Sequence, residues 1–170
     1  MISGFAPIAL PDARVLILGS FPSQRSLEAG QYYAHPQNAF WFIIERLFAR
    51  ETGLDYTART ALLMDAKVAL WDVLRTADRP GSLDSAIVAG SEVPNGFVEF
   101  FNRHPAMRIV FFNGAKAQSL FEQHVTRSLG PDSTLRFVRL PSTSPANAGL
   151  ARERKLELWR TGLKRNNSNP

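Results

Sequence analysis

Continuous apolar runs and helically spaced apolar positions alternate along this chain. "RVLILG" (14–19) is a short apolar run closed by a glycine, the pattern of a strand buried on both faces of a parallel sheet. "RIVFFNG" (108–114) repeats the form, and "LRFVRLP" (135–141) predicts a third strand. Between them "AFWFIIERLFAR" (39–50), "GFVEFFNRH" (96–104) and "AKAQSLFEQHV" (115–125) carry apolar residues at helical spacing, and "LARERKLELWRTGL" (150–163) is an amphipathic last helix. Strands alternating with helices indicate an α/β layered domain.

The middle of the chain is less regular. "YTARTALLMDAK" (56–67) and "VALWDVLR" (68–75) predict helices, and "SAIVAG" (85–90) predicts a further strand. No repeat or linker splits the chain, so residues 1–163 read as one domain and "KRNNSNP" (164–170) as a frayed tail.

Charge and composition narrow the function. Twenty Lys and Arg against 15 Asp and Glu give a net charge of +5, a lean toward polyanions. A run such as "RERK" (152–155) also reads as a solvated helix face. Cysteine is absent, which excludes disulfides, thiolate zinc sites and Cys-ligated clusters and fits a reducing compartment. The three histidines, His35, His104 and His124, have no ligand spacing, so no metal and no cofactor are expected. The opening "MISGFAPIALPDARV" has no basic start and is broken by Pro7, Pro11 and Asp12, unlike a signal peptide or membrane span, so a cytoplasmic protein is expected.

Ligands of open parallel sheets bind beyond the carboxyl ends of the strands. Three segments fall there: "GSFPSQRS" with "QYYAHPQNAFW" after the first strand, "NGAK" after the second, and "PSTSPANAG" after the last. None matches a nucleophile elbow, a phosphate loop or a dinucleotide fingerprint. Their amides, hydroxyls and rings suit an aromatic heterocycle. Tyr32, Tyr33, Phe21 or Phe40 could stack on a base, and an Asn amide offers one donor and one acceptor to its edge. Ser142, Thr143 and Ser144 could meet phosphates, and Pro145 with Ala146 could form an apolar wedge between base steps. Each feature also has a structural reading: rings beside a strand end are core, an Asn at a helix start is a cap, and His35 is a structural hydrogen-bonder.

"LILGSFPS", "YYAHPQNAFW", "FFNG" and "LPSTSPANA", in this order over residues 14 to 160, resemble the uracil-DNA glycosylase superfamily, and most closely its DNA-deoxyinosine (hypoxanthine) glycosylase branch. The resemblance implies a three-layer α/β/α fold around a four-stranded parallel sheet. It further implies a monomeric, monofunctional enzyme that flips a deaminated base from DNA and hydrolyses its N-glycosidic bond. In that branch the Asn of "HPQN" is the catalytic position, here Asn38, because its amide must face the cleft. Tyr33 matches the stacking aromatic, with Phe21, Gly19, Ser20 and His35 around the base. Asn113 is expected to read the base edge, and Ser142, Thr143, Ser144, Pro145, Ala146 and Asn147 to contact DNA.

Three positions depart from relatives. Phe21 stands where many carry a water-activating Asp or Asn, Leu140 where some carry a His that assists the leaving base, and Ser23 where a Gly is common. Two other classes fit the same residues: a non-catalytic single-stranded nucleic-acid binder and a hydrolase of free inosine.

Overall fold

The computed structural model describes residues 1–131 and 133–167. Four parallel strands form the central sheet in the order β3-β2-β6-β7: β2 (Val15–Gly19), β3 (Val68–Asp72), β6 (Ile109–Asn113) and β7 (Arg136–Leu140). Successive side chains of a strand point to opposite faces, and the sequence fills both. Leu16, Leu18, Ala69, Trp71, Val110 and Phe112 pack on one side against helices α4 (Phe97–Arg103) and α5 (Ala115–His124). Val15, Ile17, Val68, Leu70, Ile109 and Phe111 pack on the other, against α2 (Phe40–Phe48), α3 (Tyr56–Asp65) and α6 (Arg152–Asn167). The result is a three-layer α/β/α domain, and its two cores explain why the strands are apolar runs instead of alternating ones.

Two expectations for the middle of the chain are corrected. Residues 68–75 are strands: β3 pairs in parallel with β2, and β4 (Leu74–Ala77) follows after Val73 alone. β4 joins β1 (Ile2–Ser3) and β5 (Val93–Pro94) in a small antiparallel sheet that no sequence pattern announced. All five residues of β3 are buried, so its apolar pattern has no period by which to tell a strand from a buried helix. Residues 85–90 form no strand: Asp84–Ala86 make a single 3-10 turn, Ile87 is buried, Val88 is exposed, and Gly90 turns the chain at φ 86. The last helix also runs through Asn167, four residues past the expected domain end, while 168–170 of the expected tail lie outside the described residues.

The ends of the elements aim the site. α1 (Gln24–Ala29) is capped by the Ser23 hydroxyl, which accepts from Ser26 N–H at 3.1 Å. Asn38 Oδ1 accepts from Phe40 N–H at 2.9 Å at the entrance of α2. Gly114, at φ 96, turns β6 into α5, and a Cβ there would lie 2.9 Å from Ser142 Cβ.

Candidate active site

The carboxyl ends of all four parallel strands open on one cavity of about 600 Å³. Gly19, Ser20 and Phe21 line it from the end of β2, and Tyr33, His35 and Asn38 from the segment before α2. Asn113 comes from β6, and Ser142, Thr143, Ser144, Pro145, Ala146 and Asn147 from the loop after β7. The residues that the resemblance assigns to the site are thus brought to one place, while Phe40, another candidate stacking ring, is fully buried and does not line the cavity.

Tyr33 sits in the left-handed region at φ 53, a strained backbone for a residue with a ring. Its ring stacks on Phe40 at 4.1 Å between centroids, which backs one face and leaves the cavity side for a ligand. Burial, then the charge of Asp72, pushes its hydroxyl far above the usual tyrosine range, so it stays a donor at neutral pH. Phe21 is buried in the core with the Arg79 guanidinium 5.1 Å from its ring centroid. Arg79 is itself buried and donates to the carbonyls of Pro22 and Gly81, which fixes the turn after β2.

Asn38 carries both of its sequence readings at once. Its carbonyl oxygen satisfies the first N–H of α2, that of Phe40, with one lone pair from just before the Ala39 cap, and the side chain lines the cavity, where the second lone pair remains available. His35 Nδ1 accepts from Gln37 N–H at 3.2 Å, and its carbonyl accepts from Asn38 N–H at 2.9 Å, so this His shapes the turn that presents Asn38. With Nδ1 accepting, the proton of the neutral ring lies on Nε2.

Asn113 lines the cavity with its side chain already bonded to protein. Its amide donates to Tyr33 Oη at 3.0 Å and to Thr143 Oγ1 at 2.9 Å, and its Oδ1 accepts from Thr143 N–H at 2.9 Å. Both amide hydrogens are spent on protein, so Asn113 ties the stacking ring to the last loop and has only one lone pair of Oδ1 left for a base. That loop is held from several directions. Ala39 N–H donates to Thr143 O, Lys155 Nζ to Ser144 O at 3.0 Å, and Trp159 Nε1 to Pro141 O at 2.8 Å. Lys155 is buried, and loss of solvent lowers its pKa, so it is a loop prop and not part of a solvated basic face. Pro145 and Ala146 stay exposed at the rim.

The sequence reading missed Asp72. It closes β3, is 4% exposed, and its Oδ2 has no hydrogen-bond partner among the described residues. Gly19 leaves room for it: a Cβ there would overlap Asp72 Oδ1 and come within 2.8 Å of the Tyr33 hydroxyl. Burial, then the nearby Asp84 charge, pushes its carboxyl up to about 7, with Arg79 opposing. Asp84, at the cavity rim, is also raised by burial, against the Ser20 hydroxyl, Arg79 and Lys116. The available signal was an acid closing a short apolar run, hidden because that run was read as helix. Of the three departures, Ser23 is the α1 cap, Leu140 is a buried apolar end of β7 that offers no proton, and Phe21 is a wall.

The arrangement brings together an aromatic face open to the cavity, an amide with a free lone pair, and a buried carboxyl whose pKa is pushed up to about 7. Known proteins resemble this chain over nearly its whole length. The model of the uracil DNA glycosylase superfamily matches residues 7–161. A protein of Methanosarcina acetivorans named hypoxanthine DNA glycosylase is 32% identical over 155 residues, covering 91% of this chain and 93% of its own. A Methanosarcina barkeri protein of the same name is 31% identical over 163 residues, covering 95% and 98%. A solution NMR structure of a candidate uracil DNA glycosylase from M. acetivorans superposes with a TM-score of 0.75 at 30% identity, over 94% of this chain and 96% of that one.

Proposed function

The chain belongs to the uracil DNA glycosylase superfamily and is a DNA N-glycosylase; from that premise we propose that it extrudes a deaminated base, hypoxanthine first, into the cavity and hydrolyses its N-glycosidic bond. The observation that carries the reading is the meeting of Tyr33, Asn38 and the Asp72 carboxyl, whose buried Oδ2 has no partner among the described residues, in one space of about 600 Å³, ample for a purine nucleotide.

The extruded base lies on Tyr33, beside Phe21. Asn38 does not take up a proton near neutral pH, so it cannot be a strong base. The free lone pair of Oδ1 instead orients a water toward the sugar C1′. Catalysis then rests on that positioning and on electrostatic stabilisation of an oxocarbenium-like sugar, aided by the DNA phosphates.

The edge of hypoxanthine presents a carbonyl oxygen and a ring N–H. A protonated carboxyl presents the complement, an O–H donor and a C=O acceptor, whereas a carboxylate only accepts. Asp72 has one buried oxygen without a partner among the described residues, whereas Asn113 has both amide hydrogens engaged and one lone pair left, so we assign edge reading to Asp72 and to Asn113 the holding of Tyr33 and Thr143. A donor on the base's carbonyl also stabilises the negative charge of the departing base, a service Leu140 cannot give. Lys155 is committed to Ser144 O, and Lys116 lies outside the cavity wall. Among the described residues no lysine lines the cavity where it could form a Schiff base, so the expected product is an intact strand with an abasic site.

Oligonucleotides holding one deoxyinosine, deoxyuridine or deoxyxanthosine, incubated with the protein and then cleaved with alkali, test the reading. Release from deoxyinosine DNA with free inosine left intact is expected. Binding without release, or cleavage of the free nucleoside alone, refutes it.

A further inference from the structure

A second cleft, of about 630 Å³, opens on the other side of the segment that presents Asn38 and shares Tyr33, His35 and Asn38 as a common wall with the first. Its chemistry is cationic. Arg46, from α2, and Arg152, the first residue of α6, lie over one ring, Phe42, with guanidinium carbons 5.0 and 4.1 Å from its centroid. They are therefore no further apart than about 9 Å, the sum of those two distances.

The Arg46 guanidinium makes no hydrogen bond or ion pair among the described residues. Arg152 has only its exposed helix neighbour Glu153, at 3.5 Å, a pairing worth little in water. The one carboxylate in the wall, Glu45, is already taken: it accepts from Arg59 Nε at 2.7 Å, Gly53 N–H at 2.9 Å and Leu54 N–H at 3.2 Å. Two guanidinium groups thus face the cleft with unspent donors, held by stacking and not by acids. A planar guanidinium stacked through its face keeps its N–H edge free for a forked contact with phosphate oxygens.

We propose that this cleft binds the sugar–phosphate backbone of the lesion-bearing strand next to the extruded nucleotide, with Arg46 and Arg152 on phosphates and Phe42 as their platform. The inference rests on the glycosylase reading only in taking DNA as the ligand. A strand carries one charge per ~3.4 Å of helix axis, so two cations at this separation reach neighbouring phosphates. The shared wall makes the consequence mechanical. A strand gripped on the Arg side of the 33–38 segment, with its base on the Tyr33 side, is bent over that segment with Asn38 at the crossing point.

The test is the salt dependence of binding to an oligonucleotide holding one reduced abasic site, followed by fluorescence anisotropy. In Arg46→Gln/Arg152→Gln the slope of log affinity against log salt should flatten by roughly 0.7–0.9 per lost contact, with affinity down about tenfold at low salt. Arg46→Lys/Arg152→Lys should keep the slope, because the charge remains. Arg154→Gln, on the same helix but paired with Glu157 at 2.7 Å and outside the cleft, should match wild type. An unchanged slope in a folded Gln double variant overturns the proposal. So does equal flattening in Arg154→Gln, which would mean that net charge and not this cleft is being read. If the wild type releases no hypoxanthine yet the slope falls as described, the cleft stands and the base assignment falls.

Discussion

Replacing Asp72 by Asn changes one buried atom and should have two readouts, a stability difference that grows below neutrality and a rate difference that opens above it. In wild type the folded carboxyl titrates near 7 and the unfolded one near 3.8. Below about pH 4 both states hold the proton and the group is neutral to stability. Between there and about pH 7 the unfolded chain releases its proton while the folded protein keeps it, so stability falls as pH rises. At about 1.4 kcal/mol per unit the loss approaches roughly 4 kcal/mol and then levels off above pH 7. The amide has nothing to release. Urea unfolding of both proteins from about pH 4 to about pH 8 should therefore show the variant gaining on wild type across this window by up to about 4 kcal/mol. Single-turnover release of hypoxanthine should follow the same proton. Wild type should hold its rate up to about pH 7 and lose about tenfold per unit beyond it, while the Asn variant, a permanent donor and acceptor, keeps a level profile through that range. A stability difference that does not change with pH would show that Asp72 is ionised throughout. Identical alkaline limbs in the two proteins would remove it from the base edge.

Four further outcomes are expected. Asn38→Ala should slow single-turnover release well over tenfold and cost about 1 kcal/mol through the lost contact with Phe40 N–H, whereas Asn38→Ser keeps a capping oxygen and should recover stability without recovering rate. Gly19→Ala drives a methyl into Asp72 Oδ1 and the Tyr33 hydroxyl, and should cost about 1–3 kcal/mol in thermal unfolding together with most of the base release. Lys155→Met removes the prop under Ser144; release should fall with no change in the salt slope of DNA binding, because this ammonium meets a carbonyl and not a phosphate. Base release should persist in EDTA, and borohydride should trap no covalent enzyme–DNA species.

Much of the architecture was legible because β2, β6 and β7 end at Gly19, Asn113-Gly114 and Leu140-Pro141, where run and stop coincide. β3 lacked such a signal at its start. The chain leaves α3 through Lys67 in the left-handed conformation at φ 59, a place where Gly is the usual marker. The Lys67 carbonyl accepts from Arg14 N–H at 2.9 Å and Val15 N–H at 3.3 Å, and its exposed ammonium pairs with Asp12, all partners far away in the sequence that no local pattern reveals. The missing stop let α3 read on into residues 68–75, and Asp72 was lost with them. Strands of two residues, β1 and β5, carry too little sequence to be seen. Within the site, residue types at strand ends revealed which side chains meet, but not how each spends its hydrogen bonds. Asn113 belonged to the cavity, yet only its contacts to Tyr33 and Thr143 show that it is a tie.

The anchoring of the loop after β7 decides which partner must deform. Ala39, Asn113, Lys155 and Trp159 fasten residues 141–144 from α2, β6 and α6 before any DNA arrives, so little ordering entropy remains to be lost on binding. A tool already set in shape does not yield to its workpiece. Under the proposed extrusion the work of opening the duplex then falls on the helix itself, and release is expected to be fastest from single strands, slower from a wobble pair and slowest where stacking and pairing are both intact.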